Sequence, residues 1–567
     1  RIGFSLTDRA RGLGDQVRAP GFFAIDKTGD SYRQLVEQGT ESERGAMLPA
    51  GASLLSRIFF NAEPTDEVLM VVPSRQARGV VASSVYRVNT RTGRSSLASL
   101  GGPDNVSTWV ASPDGALRAA LSAKGNAVRL HYRGSGTAPW RVVYEHNEDD
   151  YANAIAPVAF DEQQRLIVTA YRQADTRGIY YMDVTGDKIK LEPLFTQIQQ
   201  DLDESSVIRS AATGKIFGAE FEIDRPTFLW LDSDLQALQA GVDKALPNTV
   251  NQISGQLDDL GGKVLIRASS DRDAGRYLIY DRATHGLTQI GVSRPWLDPG
   301  KMAKSKFYRY DARDGVSIPA ILTIPIGATG TKLPLVVLHY GGPWARAIRY
   351  GFDQNVQFLA SRGYAVMMPA PRASTGWGLK HFTSGFKQWG LAMQDDVTDG
   401  VYDLIKKGVV DPSRVCIAGA SYGGYLAMMA LVKEPNLFRC AVNWVGVTDP
   451  AFMFTVSWTD FNRAEAGMFT LKRTIGDPVA DRNQFDNTSP VKRAREITQP
   501  VLMAYGGMDE RVPIINGETL RDALRGHNKD VEWIVYPEEG HGWMRKENTF
   551  DFWGRVEKFL ARNLERR

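Results

Sequence analysis

The sequence predicts two domains of different class, an all-β domain over 1–300 and a doubly wound α/β domain over 301–567. Before about residue 300, short runs rich in aromatic and β-branched residues alternate with turn residues. After it, short apolar runs that suit buried parallel strands alternate with segments of helical periodicity. With 567 residues, 43% of them hydrophobic and 23% charged, the chain is long enough for each domain to bury its own core.

The all-β half repeats at intervals of about 48 residues or twice that, a spacing typical of one four-stranded propeller blade. The turn residues that follow its strand-like runs are Asn89, Asp183, Asp232 and Asp281. SPDG at 112–115 and FDEQQ at 160–164 show the same interval. These repeats predict a β-propeller with about six recognisable units, and leave open a seventh that is hidden or lies upstream. An array of β-sandwiches with accidental spacing is the alternative.

The α/β half predicts a mostly parallel sheet whose strands are short apolar runs. These are LPLVVLHY (333–340), YAVMMPAP (364–371), RVCIAGA (414–420), RCAVNWV (439–445), PVLMAYG (500–506) and EWIVYP (532–537). Segments with apolar residues at three- and four-residue spacing lie between most of them, as helices require. In such a sheet, ligands and functional residues gather beyond the carboxyl ends of the strands.

A Gly-x-Ser-x-Gly motif, Gly419 to Gly423, lies between the run RVCIAGA and a helical segment. Its small residues permit a strained turn that lifts the Ser421 hydroxyl above the sheet, as in the nucleophile elbow of the α/β-hydrolase fold. Without its flanks, the motif would also suit a chance loop or a packing turn. Because serine is a weak nucleophile at neutral pH, it needs a nearby base and a carboxylate behind that base.

His541 and Asp509 are predicted to complete the triad. His541 follows the run EWIVYP and Asp509 follows VLMAYG, so both are expected at carboxyl ends of strands. The chain order Ser, Asp, His is the one that this fold uses. The chain has seven histidines, and the others lie in the propeller half or at less suitable positions. The competing carboxylates are Glu510, Asp449 and Asp477.

Two hydrogen-bond donors are expected to stabilise the negative oxygen of the tetrahedral intermediate. The backbone N–H of Tyr422, which follows the nucleophile, is the first. The second is expected where the run LPLVVLHY ends in YGGP at 340–343. Either the phenol of Tyr340 or a backbone N–H of the glycine turn could supply it.

Five segments together resemble the prolyl oligopeptidase family of serine peptidases: YGGP (340–343), RASTGWG (372–378), GASYGGY (419–425), SPVKRAREITQPVLMAYGGMDERVP (489–513) and EGHGW (539–543). The resemblance covers almost all of 301–567 and implies a β-propeller before the catalytic domain. It also implies the triad Ser421, Asp509 and His541, the oxyanion donors Tyr340 and Tyr422, and an apolar specificity pocket. Its candidate pocket residues are Val447, Val512 and Phe452, with Tyr422 as a wall.

The resemblance implies a serine peptidase that hydrolyses short peptides through an acyl-enzyme, with the propeller limiting substrate size. The segment before the sheet and the GGP turn look closest to the acylaminoacyl-peptidase-like branch. The glutamate pair that grips a free amino terminus in the dipeptidyl-peptidase branch has no convincing match; Glu220 and Glu222 are interpreted as strand and turn residues. A dipeptidyl aminopeptidase, a carboxylesterase with the same triad, and a binding protein with a relic hydrolase fold are the alternatives. The last should lack a triad or oxyanion group, and none is missing.

Charge and composition argue against several classes of binding partner and cofactor. The 68 basic and 65 acidic residues nearly balance, which argues against nucleic acid or an anionic membrane. No apolar run approaches the roughly 20 residues of a membrane span, and no pattern for a metal or other cofactor is found. Cys416 and Cys440 lie in apolar runs and are predicted to be reduced thiols. No signal peptide is recognised, and both a cytoplasmic and a periplasmic location stay open. A homo-oligomer also stays open.

Overall fold

The computed structural model describes residues 1–6, 21–37, 47–75, 81–186, 188–255, 257–258, 262–456, 465–528 and 530–565. The chain divides into two compact units. The first holds Arg1–Phe221 and Phe228–Asp232, and the second holds most of the remainder, including Glu222–Thr227. The last antiparallel sheet before residue 300 therefore groups with the second unit. We keep 1–300 and 301–567 as the proposed domains, because strand pairing changes from antiparallel to mostly parallel after that point.

Six small antiparallel sheets occupy the described part of the first 300 residues. Their strands are β1 (Ile2–Leu6), β2 (Gly21–Ile25), β3 (Arg33–Val36), β4 (Ser53–Phe60), β5 (Glu63–Arg75), β6 (Val81–Asn89), β7 (Ser95–Leu97), β8 (Val106–Ala111), β9 (Leu117–Lys124), β10 (Ala127–Tyr132), β11 (Arg141–Asn147), β12 (Ile155–Phe160), β13 (Leu166–Ala170), β14 (Gly178–Asp183), β15 (Lys190–Phe195), β16 (Val207–Arg209), β17 (Ile216–Glu222), β18 (Pro226–Trp230), β19 (Val250–Ser254), β20 (Lys263–Ser269), β21 (Arg276–Asp281) and β22 (Gly286–Val292). The sheets are β1–β3, β4–β7, β8–β11, β12–β15, β16–β18 and β19–β22, each joining consecutive strands. They are the six blades of a β-propeller, which confirms the prediction from the repeat.

The repeat in the sequence has a local physical cause. Asn89, Asp183 and Asp281 each end a strand, and each accepts backbone N–H groups two or three residues further on. Such side-chain bonds imitate a turn and reverse the chain before the next strand. Asp232 follows β18 and instead precedes α1 (Ser233–Ala245), a helix inserted between two blades. The repeated acidic and amide residues therefore mark where strands stop.

An eight-stranded sheet forms the centre of the α/β half. Its strands are β23 (Lys304–Asp311), β24 (Ser317–Ile324), β25 (Leu333–His339), β26 (Ala365–Pro369), β27 (Val410–Ala420), β28 (Cys440–Trp444), β29 (Val501–Gly506) and β30 (Val531–Tyr536). Their order is β23-β24-β26-β25-β27-β28-β29-β30. The pairs from β26 to β30 are parallel, while β24 pairs antiparallel with β23 and with β26. This doubly wound sheet confirms the predicted α/β-hydrolase fold.

Helices cover both faces of this sheet. They are α2 (Gln354–Ser361), α3 (Leu379–Thr383), α4 (Ala392–Lys406), α5 (Tyr422–Lys433), α6 (Phe452–Thr455), α7 (Glu465–Thr474), α8 (Arg482–Asn487), α9 (Ile515–Arg525) and α10 (Lys546–Leu564). Short 3₁₀ turns lie at Tyr151–Asn153, Glu204–Ser206, Pro299–Lys301 and Ala494–Glu496. Along β25, Leu335 and Val337 join one core and Val336 and Leu338 the other, as the two-residue period of a strand requires. None of the helices in the described ranges is long and apolar enough to cross a bilayer.

Cys416 and Cys440 correct one expectation. They pair in register on the neighbouring parallel strands β27 and β28, with their Cα atoms 4.9 Å apart, and form a disulfide. The prediction of two reduced thiols is therefore wrong for this structure. The sequence shows that both lie in buried strands, but the pairing depends on a register that apolar runs alone do not reveal.

Candidate active site

Ser421 lies in a sharp turn between β27 and α5. Its φ of 57° is positive, in a region that residues with a Cβ rarely adopt. The flanking glycines make this turn sterically feasible. A Cβ on Gly419 would lie 2.2 Å from the carbonyl oxygen of Gly423, and a Cβ on Gly423 would lie 1.9 Å from the carbonyl oxygen of His339. Only glycine fits at these two positions, so the motif supplies the strained turn that a nucleophile elbow needs.

Asp509 and His541 are joined by a hydrogen bond of 2.8 Å between Asp509 Oδ2 and His541 Nδ1. The Asp509 side chain is fully buried. Its other oxygen accepts the backbone N–H groups of Arg511 at 2.9 Å and Val512 at 2.8 Å. Because an ionised carboxylate only accepts, a neutral His541 carries its proton on Nδ1. Nε2 is then the atom with a lone pair, which is the state a general base requires.

Ser421 and His541 line the same cavity, which has a volume of about 350 Å³. Its other lining residues are Gly341, Gly342, Pro343, Trp344, Trp389, Ala420, Tyr422, Trp444, Val445, Val447, Met453, Arg511 and Val512. The structure therefore brings the predicted nucleophile and base to one cavity, with Asp509 bonded to the base. The competing carboxylates Asp449 and Asp477 accept backbone N–H groups of their own loops.

The apolar walls of the cavity agree only in part with the predicted pocket. Val447 and Val512 are both buried there, and Tyr422 forms a further wall. Phe452 is not a lining residue, whereas its neighbour Met453 is. Consecutive residues of a helix point about 100° apart, so the two side chains leave the start of α6 in different directions. The structure does not bring Phe452 to the site.

Sequence reasoning missed three tryptophans and Arg511 in this cavity, and two of the tryptophans, Trp344 and Trp389, lie beside Tyr422. The Trp389 ring centroid lies 4.6 Å from that of Tyr422 and 6.0 Å from that of Trp344, so the three rings form one aromatic wall. Trp344 directly follows the YGGP segment, and this adjacency is a signal that could have found it. Trp389 lies in a segment without strand or helix periodicity, and the sequence offers no comparable signal for it.

Tyr340 does not direct its side chain into this cavity. Its hydroxyl donates to the carboxylate of Asp353, with distances of 2.9 and 2.8 Å to the two oxygens. Burial and the Asp353 carboxylate together raise the pKa of the phenol well above its usual range. Tyr340 and Asp353 instead line a neighbouring cavity of about 290 Å³. The phenol is therefore bonded away from Ser421, although the sequence favoured it as a donor.

The glycine turn after Tyr340 lies against the nucleophile. A Cβ added to Gly341 would lie 3.0 Å from Ser421 Oγ, so the Gly341 backbone borders the hydroxyl. Within the described ranges, neither the N–H of Gly341 nor that of Tyr422 has a backbone or side-chain acceptor. Two N–H groups beside the nucleophile, with no acceptor of their own, suit a developing negative oxygen. This geometry favours the backbone alternative for the second donor.

The other histidines of the α/β half have structural contacts. His339 and His381 are buried, and burial lowers the pKa of each to about 4. Nδ1 of His339 meets the carbonyl oxygen of Tyr340, and Nε2 of His381 meets that of Pro371. His527 contacts the carbonyl oxygen of Ala494. None of the three lines the cavity, so His541 remains the candidate base.

Known proteins are similar to this chain over different shares of its length. Residues 350–567 match the sequence model of the prolyl oligopeptidase family. Dipeptidyl aminopeptidase BIII of Pseudoxanthomonas mexicana is 28% identical over 495 residues, which are 85% of this chain and 69% of that protein. Dipeptidyl peptidase family member 6 of Caenorhabditis elegans is 28% identical over 75% of this chain and 60% of that protein. Acylamino-acid-releasing enzyme 1 of Oryza sativa subsp. japonica is 27% identical over 42% of this chain and 31% of that protein.

Solved structures share the fold over nearly the whole chain. A puromycin hydrolase mutant complexed with PGG has a TM-score of 0.72 at 18% identity, covering 99% of this chain and 84% of that one. A puromycin-hydrolyzing peptidase of Mycobacterium tuberculosis has a TM-score of 0.73 at 17% identity, covering 100% and 87%. The shared fold is a β-propeller followed by an α/β-hydrolase domain. Over residues 350–567 the chain is therefore similar to the prolyl oligopeptidase family.

Proposed function

We propose that this protein hydrolyses peptide bonds of short peptides through an acyl-enzyme formed on Ser421. The observation that carries the proposal is the cavity lined by both Ser421 and His541, with Asp509 bonded to Nδ1 of the histidine. The order of these residues along the chain and the strained turn at Ser421 support the same roles.

The reaction follows from the hydrogen bonds. Ser421 Oγ attacks the substrate carbonyl carbon and transfers its proton to Nε2 of His541. Asp509 holds the Nδ1–H bond and stabilises the imidazolium that forms. The N–H groups of Tyr422 and Gly341 donate to the negative oxygen of the tetrahedral intermediate. His541 then returns the proton to the leaving amine, and a water molecule repeats the sequence on the acyl-enzyme.

The cavity walls support a preference for an uncharged over a cationic side chain before the scissile bond. Val447, Val512 and Met453 are buried aliphatic or thioether groups, and the aromatic wall closes another side. A cationic side chain placed among them would lose its hydration. It would also meet Arg511, a residue of like charge that lines the same cavity. Both effects lower kcat/KM for substrates with a cationic side chain at that position.

The propeller is proposed to limit the size of the substrate. Six blades precede the hydrolase half, and the fold of the whole chain, propeller included, matches propeller-bearing hydrolases. We propose that flexible peptides are cleaved and stably folded proteins are not.

Release of dipeptides from a free amino terminus is the second candidate. The relatives matched over 85% and 75% of the chain are named dipeptidyl aminopeptidase and dipeptidyl peptidase, whereas the acylamino-acid-releasing enzyme matches over 42%. The first candidate remains the acylaminoacyl-peptidase-like action that the segments around the active site resemble.

The test is a set of matched chromogenic substrates that differ only at the amino terminus, free in one series and acetylated in the other, with an ester included. Faster cleavage of the acetylated series supports the acylaminoacyl action, and cleavage of the free dipeptide series alone supports the second candidate. Turnover of the ester without any amide would contradict the peptidase proposal. Labelling of Ser421 by a fluorophosphonate, located by peptide mass mapping, reports the nucleophile independently of the substrate.

A further inference from the structure

The Tyr340 and Asp353 side chains form a pair that the catalytic steps above do not use. The phenol donates to both carboxylate oxygens of Asp353, and Asn355 Nδ2 donates to the phenol oxygen at 3.3 Å. The pair lines the cavity of about 290 Å³, not the cavity of Ser421 and His541. A partly buried phenol that is hydrogen-bonded as donor and acceptor beside the glycine turn calls for a role other than direct contact with the substrate.

Asp353 is a rigid partner for this bond. It is the N-cap residue of α2, where its Oδ1 accepts the backbone N–H groups of Asn355 at 2.8 Å and Val356 at 3.0 Å. Val356 and Leu359 of the same helix are buried in the core on one face of the sheet. The carboxylate is therefore held by a packed helix, and a group that is hydrogen-bonded to it is held in place as well.

Tyr340 links this fixed carboxylate to the oxyanion turn. It stands between His339, the last residue of β25, and Gly341, whose backbone borders Ser421 Oγ. Gly342 has a φ of 78°, which lets the chain turn away immediately after Gly341. With β25 on one side and the phenol anchored on α2, the peptide group that carries the Gly341 N–H has little freedom to move.

The geometry points to Asp353 as a positioning residue, which acts through the Tyr340 phenol to hold the Gly341 N–H where it donates to the oxyanion. The inference rests on the proposed function and deepens it, since it assigns how the second donor is fixed. A misplacement of about 1 Å in such a group lowers turnover by about 100-fold. Because the oxyanion exists in the transition state and not in the bound substrate, the effect falls on kcat and not on KM.

The test uses the full chain with Asp353→Ser, Tyr340→Phe and the double variant. Serine keeps an N-cap but is too short to reach the phenol, so α2 is preserved while the anchor is lost. We expect each single variant to lower kcat by about 10- to 100-fold with KM within about threefold. The double variant should be no slower than the slower single variant, because both changes remove one interaction. Asp353→Asn, which caps the helix and still reaches the phenol, should restore most of kcat.

A peptide aldehyde gives a second readout, since its hemiacetal with the nucleophile places a negative oxygen in the same hole. Its affinity should fall by the same factor as kcat. Tyr350→Phe is the matched control: this phenol lines the same cavity and donates to a carboxylate, that of Asp271, at 3.2 Å, but has no link to the glycine turn. Its kcat should equal that of the wild type, and thermal unfolding checks that each variant is folded.

Normal kcat in Asp353→Ser together with a slow Tyr340→Phe would overturn the inference and make the phenol a direct donor. Normal kcat in both variants would also overturn it and leave the pair a purely structural role. If Asp353→Ser does not fold, Asp353→Gly takes its place, because glycine also suits an N-cap and cannot bond the phenol. A kcat lowered as in Tyr340→Phe then supports the anchor, and a normal kcat contradicts it. Failure of the proposed function itself appears separately, as peptidase activity retained in Ser421→Ala.

Discussion

Two turns meet at the active site, and they are built in different ways. The turn at Ser421 follows β27, and its backbone shape is imposed by local sequence, because a Cβ at Gly419 or Gly423 would collide with carbonyl oxygens. The turn at Gly341 follows the neighbouring strand β25, and it is tied to Asp353 through the side chain of Tyr340. The first turn can be recognised from a motif of five residues. The second depends on a contact with a residue further along the chain, which the motif does not contain.

The largest expected effect concerns the first turn. Ser421→Ala should leave a folded protein and lower kcat by about 10⁴-fold or more, because only binding and the oxyanion donors remain. Steady-state kinetics on a short peptide measures this, with thermal unfolding as the control for folding. Near-normal peptidase activity, together with no fluorophosphonate label on Ser421, would exclude this residue as the nucleophile.

The size filter should give the next largest effect. A preferred peptide should be cleaved at least about 10³-fold faster, in kcat/KM, than the same peptide held in a rigid surface loop of a stably folded protein. The loop must first open locally, and such openings are rare in a stable fold. Digestion of both substrates followed by mass spectrometry gives the two values, and a heat-unfolded sample of the same carrier is the control. Equal kcat/KM values for the free peptide and the folded carrier would contradict the proposal that the propeller limits substrate size.

Gly423→Ala tests whether local sterics control the elbow. Its new Cβ would lie 1.9 Å from the backbone oxygen of His339, so β25 or the elbow must shift. We expect kcat to fall by about 100-fold or more and the free energy of unfolding to fall by about 2 to 4 kcal/mol. Gly554→Ala is the matched control, because an added Cβ meets nothing within 4 Å in the middle of α10. There the change should raise stability by up to about 1 kcal/mol. Equal unfolding midpoints for the two variants would contradict the steric account.

The contrast between local sequence and contacts distant in sequence also explains how much of the structure could be predicted. The alternation of apolar runs and helical segments predicted the α/β sheet, and the spacing of turn residues predicted the propeller, because both depend on local patterns. Ser421, Asp509 and His541 were predicted from their places after strands, and the structure brings Ser421 and His541 to one cavity. The direction of the Tyr340 side chain, the choice of Met453 over Phe452 and the disulfide were not predictable, because each depends on packing or register between segments distant in sequence.

The smallest expected effect concerns the wall of the pocket. Of two neighbouring residues of α6, Met453 lines the cavity and Phe452 does not. Met453→Ala should lower kcat/KM for substrates with a large apolar residue before the scissile bond by about 10-fold, since the loss of one apolar contact is worth about 1 to 3 kcal/mol. Substrates with alanine at that position should change less, because they do not reach the wall. Phe452→Ala is the control: its side chain is not part of the lining, so the ratio between the two substrates should stay within about twofold of the wild type. The measurement is the ratio of kcat/KM values for the two substrates on each variant, which cancels any change in the amount of folded enzyme. A changed ratio in Phe452→Ala with an unchanged ratio in Met453→Ala would contradict this assignment and support Phe452 as the pocket residue, as the sequence predicted.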